Sequence, residues 1–275
     1  MNKRTLVIFS LLLCVTQFFS LKVFAQTYRV ENPEILATNT ISLNCEWEFF
    51  PFEFIDPNQS GKKAMYVFPV PSNWNTYGLG EPFDDAKGAG SYRLKITNLK
   101  PNQKYGFTVY DIAATAVRIY ANGKKMITVG SPSLNYKETV SDQQMKKISF
   151  YSDEKGNVDL VLHISNNFHR FGGFWGNIQF GEDSVIESTF SEEQNITIIL
   201  IGALMTVFLY QFFIFFFRKY DLSSLFLAIF SFVIILRIMS TPFSVIKLLF
   251  PSLPYSIELK IEYSALFLAP MFFQL

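Results

Sequence analysis

From Asn195 through Phe217 the chain runs as NITIILIGALMTVFLYQFFIFFF without one charged residue, and it closes on the basic pair Arg218-Lys219. At a rise of ~1.5 Å per residue, such a run matches the ~30 Å hydrocarbon core of a bilayer. An open segment can cross lipid only if its backbone groups are satisfied internally, so the run over 195–217 is read as a transmembrane helix. The basic pair belongs on the cytoplasmic side, which places everything before the helix outside. A second apolar stretch, Leu222 to Met239 (LSSLFLAIFSFVIILRIM), follows after a minimal turn and returns outward. Near its far end Arg237 is placed to snorkel to the interface, pairing inside a helix bundle being the alternative. Pro242 then breaks the pattern, and FSVIKLLFPSL reads as an interfacial loop with a short amphipathic piece. A third run, expected as the start of a membrane helix over 259–275, is still apolar at Leu275, so the chain is expected to be a fragment of a longer protein. The expected location is an inner or plasma membrane, multi-pass, with the N-terminal domain periplasmic or extracellular.

The other end carries a second address. Met1 to Arg4 is a short basic start, Thr5 to Phe19 is almost wholly apolar, and Val23-Phe24-Ala25 precedes Gln26 as a small-residue cleavage site does. Residues 1–25 are therefore read as a secretory signal peptide. After cleavage Cys45 is the sole remaining cysteine, so no intramolecular disulfide can form, and a buried apolar role fits it better than a reactive one. Only 17% of residues are charged against 49% hydrophobic, with 31 Phe and a formal net charge of +1. That balance lacks the basic footprint of a nucleic-acid binder and is too apolar for a disordered chain.

Between the apolar ends, residues 26–190 hold most of the charges and have the length of one compact domain. Short runs rich in aromatic and branched residues recur there between Gly, Pro, Asn and Asp: Cys45 to Phe54, Met65 to Val70, Ser91 to Leu99, Tyr105 to Ile112, Thr115 to Ala121, Lys124 to Val129, Lys147 to Tyr151 and Val158 to Ser165. Tyr92, Leu94 and Ile96 alternate with Arg93 and Lys95, the period of a strand with one face inward. Asn122-Gly123 stands between VRIYA and KKMITVG, and both positions tolerate the positive φ of a two-residue hairpin turn. The pattern predicts an all-β antiparallel β-sandwich of about eight strands, followed by transmembrane α-helices.

Several strings carry a resemblance. CEWEF at 45–49, VPSNW at 70–74, GAGSYRL at 88–94 and VRIYANG at 117–123 with Gly130 resemble the jelly-roll, galactose-binding-like domain at the front of many glycoside hydrolases and in bacterial receptors. HRFGGFWGNIQFG at 169–181, followed soon by a membrane helix, is more specifically similar to the seven-transmembrane receptors with diverse intracellular signalling modules. The resemblance implies a jelly-roll sensor domain outside, seven helices, and a cytoplasmic kinase, cyclase or phosphatase module beyond residue 275. It also implies cytoplasmic signalling partners and a small-molecule or carbohydrate ligand beside the lipid bilayer, with a homodimer left open.

Trp74, Arg170 and Trp175 are the candidate ligand-binding residues. The tryptophans lie near Pro-rich or Gly-rich turns, where a flat ring can stack on a sugar, and Arg170 with His169 can meet an acidic or hydroxylated ligand at a loop rim. Trp47, among alternating bulky residues, reads as core, and His163 as a half-buried strand side chain. No cofactor is expected within these residues. Structural calcium on Asp84, Asp85 and Glu81, or at Asp111, is the alternative to a solvated acidic turn. No residue is assigned a catalytic role. The expected function is a membrane receptor that senses an external ligand and signals through a helix bundle, the alternative being a membrane-anchored carbohydrate-binding or adhesion module.

Overall fold

A computed structural model of the protein describes residues 26–59, 61–109, 116–142, 145–218, 221–241 and 243–273. The signal segment over 1–25, Asp111, Lys219 and Pro242 lie outside the described residues. The strands are β1 (Thr27–Arg29), β2 (Ile41–Ser42), β3 (Cys45–Pro51), β4 (Tyr66–Val70), β5 (Ser72–Asn73), β6 (Gly88–Thr97), β7 (Lys104–Val109), β8 (Ala116–Ala121), β9 (Lys124–Val129), β10 (Lys146–Tyr151), β11 (Val158–Asn166), β12 (Gly173–Phe174) and β13 (Ile178–Glu182). Three long helices follow, α1 (Asp183–Phe217), α2 (Leu222–Ser240) and α3 (Tyr255–Phe273), with a helical turn Ile246–Leu249 before the last.

One sheet has the order β4-β3-β6-β11-β8-β9, with β1 added in parallel to β6, and a second has the order β10-β7-β13-β2. All other pairings are antiparallel. Their facing sides form a sandwich core, with Trp47, Tyr92, Leu94, Ile96, Ile119, Leu160 and Leu162 from the first sheet and Tyr105, Phe107, Phe150, Ile178 and Phe180 from the second. The expected alternation holds on β6, where Tyr92, Leu94 and Ile96 are fully buried. The expected hairpin joins β8 to β9, with Asn122 at φ 48° and Gly123 at φ 76°. Trp47 lies in the core as expected, its ring edge-on to Phe174 at 5.6 Å.

The outer face of the larger sheet is also covered. The segment from Phe52 to Ala64 folds over it, and Phe50, Ile55, Ala64 and Val161 form a second apolar cluster with Tyr120 against it. Arg93 is consequently buried: its Nε donates to Glu48 Oε2 at 2.6 Å and its Nη2 to the Lys62 carbonyl at 2.9 Å. His163 lies on the same face, stacked on Phe54 at 4.7 Å, with Nε2 donating to the Ile55 carbonyl at 2.9 Å.

The first helix starts at Asp183, ahead of the apolar run that begins at Asn195. The polar stretch DSVIESTFSEEQN from Asp183 on is helical, with Asp183 in the first turn complementing the positive end of the helix dipole. Val185, Ile186, Thr189 and Phe190 also present a helical stripe, whose Ile186 is wholly buried. Asp221 caps α2, its Oδ1 accepting from Ser223 N at 3.2 Å. Val233 of α2 packs against Ala265 and Ala269 of α3, whose small side chains let the helices approach. Among the described residues, two helices, α1 and α2, are long and apolar enough to cross a membrane. The side chains of the most apolar stretch of α1 are exposed or half-buried, with Phe208 meeting Phe232 of α2 at 5.4 Å, so much apolar surface is left open, as expected of a surface that meets lipid or other helices.

Candidate functional site

The start of the string expected to carry ligand contacts folds as a loop between β11 and β12, and one asparagine organises it. Asn166, wholly buried at the end of β11, donates through Nδ2 to the carbonyls of Ala86 at 2.7 Å and His169 at 2.8 Å. Its Oδ1 accepts from the backbone N–H of His169 at 3.0 Å. Asn75 ties the same loop from below, with Oδ1 accepting from Gly172 N at 3.2 Å and Nδ2 donating to the Arg170 carbonyl at 3.3 Å. Side-chain amides therefore hold the loop up to the point where β12 pairs with β5 and the Gly172 carbonyl accepts from Trp74 N at 3.0 Å.

On this frame His169 stacks on Trp175 at 5.7 Å, Phe171 meets Trp175 edge-on at 6.1 Å, and the Arg170 guanidinium covers the Phe171 ring at 4.7 Å. Arg170 is exposed and Trp175 half-buried. The two thus share one rim. Trp74 does not join them. It is wholly buried, its Nε1 donates to the Ala86 carbonyl at 2.9 Å, and Phe49 and Phe83 pack at 6.3 and 5.1 Å. With no open ring face it serves the core and supports the loop from beneath, which corrects its placement among ligand contacts. Gly172 permits this contact, because a Cβ there would lie 2.0 Å from Trp74 Nε1 and 2.2 Å from the Ala86 carbonyl.

The acidic turn shows no cation cradle. Glu81, Asp84 and Asp85 are exposed, Asp85 lies 3.9 Å from Lys87, and among the described residues no group of three His, Cys, Asp or Glu side chains is placed to hold a metal. Burial pushes the Cys45 thiol up to about 11, with Trp47 opposing and Glu46 adding to the shift, so it stays protonated and unreactive near neutral pH.

Two junctions join sandwich and helices. In the first, β13 passes into α1 without an intervening loop, and Asp183 is ion-paired with Lys104 at 2.8 Å and Lys147 at 3.3 Å and also accepts from Ser149. Lys147 reaches on to Glu187 one turn later, while Lys100 bridges Glu182 at 3.5 Å and Glu34 at 2.9 Å. Burial alone would raise the Asp183 carboxyl, but Lys104, Ser149 and Lys147 together hold it below the usual carboxylate range. In the second, Lys247 lies 2.8 Å from Glu258 at the start of α3 and also pairs with Asp142 of the sandwich. Glu258 is 2% exposed, and the Lys247 ammonium faces it as countercharge. Phe168 meets Tyr255 at 6.2 Å and Phe190 meets Phe243 at 5.4 Å beside it. Asn166, Asp183 and Lys247 carry no sequence signal of their own, since each matters through partners distant in the chain.

No family model matches the chain, and no curated protein matches it. Among solved structures it is similar to a GH2 beta-galacturonidase from Eisenbergiella tayi bound to galacturonate, at 14% identity and TM-score 0.38, over 58% of this chain and 26% of that one. It is also similar to the Ruminococcus gnavus beta-glucuronidase, at 14% identity and TM-score 0.38, over 56% and 30%. A beta-glucuronidase from an uncultured Clostridium sp. matches at 14% identity and TM-score 0.40, over 58% and 31%. The chain thus spans less than a third of the length of these proteins.

Proposed function

We propose that this chain is the sensing and membrane-entry part of a signal-transducing receptor. Its sandwich, of the jelly-roll, galactose-binding-like kind, stands outside the cell membrane. The first two long helices cross the bilayer out-to-in and back, and the third enters it again. The reading follows the resemblance to seven-transmembrane receptors with diverse intracellular signalling modules, with output produced by a cytoplasmic module outside residues 1–275. The observation that carries it is the loop-free passage from β13 into α1, pinned by Asp183 to Lys104 and Lys147. A rigid joint makes the orientation of the sandwich and the pose of the helix one variable, so a ligand with different affinity for two poses shifts both. A merely anchored binding module has no need of such a joint.

Inserting four glycines between Glu182 and Asp183 of the full-length protein tests this. The expected result is an intact, exported sandwich whose ligand no longer changes cytoplasmic output; an undiminished response overturns the reading. Reporters fused after Arg218 and after Pro254 test the topology, with cytoplasmic and external positions expected respectively.

A further inference from the structure

Between the sandwich and the first turn of α3 lies a cleft of about 380 Å³, within the ~300–1,000 Å³ typical of small-molecule sites. One wall is Thr139 to Ser141 with Asn167 and Phe168, and the other is Pro254 to Ser256. No lining residue bears a charge. Ser141 and Ser256 bring hydroxyls and Asn167 an amide, the Thr139 hydroxyl being turned inward to Ser165 at 2.8 Å, while Val140 and Phe168, 62% and 52% exposed, supply apolar surface. The sandwich wall is preorganised: Asn167 Nδ2 donates to the Thr139 carbonyl at 3.3 Å and its Oδ1 accepts from Ser141 Oγ at 3.4 Å.

We infer that this cleft binds a small neutral molecule that presents one apolar ring face and several hydroxyls, the chemistry of a sugar ring. An ionic ligand would lose hydration without meeting a lining countercharge. The nearby cation Lys247 is already engaged by Asp142 and Glu258. Phe168 offers the ring face, and the hydroxyl and amide groups of both walls offer the polar edge. Because one wall comes from the sandwich and the other from the start of α3, a molecule touching both binds according to their separation, which is the differential affinity a switch requires. That consequence, though not the binding itself, rests on the receptor reading above. A free glycoside and the headgroup of a neutral glycolipid share this chemistry.

The test uses the full chain in lipid nanodiscs, with Pro254→Cys, an exposed lining position given no ligand contact, as a thiol reporter and the parent chain as background. Labelling of the Pro254→Cys thiol by a maleimide is followed against a panel of neutral mono- and disaccharides, with glucuronate as the charged counterpart and with nanodiscs containing or lacking a neutral monoglycosyl diacylglycerol. At least fivefold, saturable protection by a neutral glycoside is expected, with none from glucuronate; protection confined to the glycolipid nanodiscs assigns the headgroup as the source. Phe168→Ala and Val140→Asp, both at exposed positions, are expected to weaken apparent affinity at least tenfold. Absence of protection across the panel and in both nanodiscs, equal protection by glucuronate, or protection unaffected by both variants overturns the inference. A cleft that fails these tests while the glycine insertion still abolishes output removes only this site. A protected cleft with insertion-insensitive output removes only the receptor reading.

Discussion

Lys104 in the second sheet holds Asp183, the first residue of α1, at 2.8 Å, so the ion pair spans the point where strand becomes helix. The Asp183 carboxyl is depressed in the folded protein, so its contribution is present above the unfolded value near ~4 and is lost as pH falls through the folded one. Spin labels on Lys125→Cys and Ser188→Cys are expected to give a narrow distance distribution at pH 7 that broadens below about pH 4. Asp183→Asn is expected to broaden it already at pH 7 and to cost on the order of 1 kcal/mol.

Glu48 and Arg93 are register partners on β3 and β6, and both are buried beneath the Phe52 to Ala64 segment. Removing one partner strands a charge, so Glu48→Ala or Arg93→Ala is expected to cost about 3–5 kcal/mol, measured by denaturant unfolding. The double replacement Glu48→Leu with Arg93→Met is expected to cost less than either single change, because neither member of the pair is left stranded.

Gly172→Ala drives a methyl group into Trp74 Nε1 and the Ala86 carbonyl. Loss of the Trp74 hydrogen bond and forced repacking are expected to cost about 3 kcal/mol and to change the near-ultraviolet tryptophan spectrum. Gly202→Ala, in α1 with nothing within 4 Å of its added Cβ, is the control and is expected to leave that spectrum unchanged.

His163 is held below its ordinary value by burial, with Arg118 adding to the shift and the Ile55 carbonyl opposing it. The unfolded chain therefore binds a proton that the folded chain refuses, and stability falls as pH drops through about 6.5 toward the folded value. Melting temperature is expected to decline from pH 7.5 to 5.5, and His163→Phe to flatten that slope. An equal slope in the variant would place the titration elsewhere.

Local patterns made much of this legible. Asn122-Gly123 specified its hairpin because both residues adopt positive φ readily, and the alternation of Tyr92, Leu94 and Ile96 marked a core face because strand side chains alternate. β13 went unread. Its IQFGE is short and interrupted by Gly181, yet it is the strand that launches α1. Arg93 likewise read as a solvent-facing residue, because nothing near it in the chain announces that Phe52 to Ala64 folds across that side.

The sequence by itself determined the two long apolar helices and the strand-rich domain before them, since burial of apolar runs and period-two faces are properties of neighbouring residues. Only the tertiary structure separated Trp74 from Trp175, one wholly enclosed by Phe49 and Phe83 and the other half-open at the loop rim, although both stand beside turns. It alone also brought Asp142 to Lys247 and Phe168 to Tyr255. Those contacts join residues about a hundred or nearly ninety positions apart, and such pairings follow from how the packed sheets and helices place their ends, which no local pattern encodes.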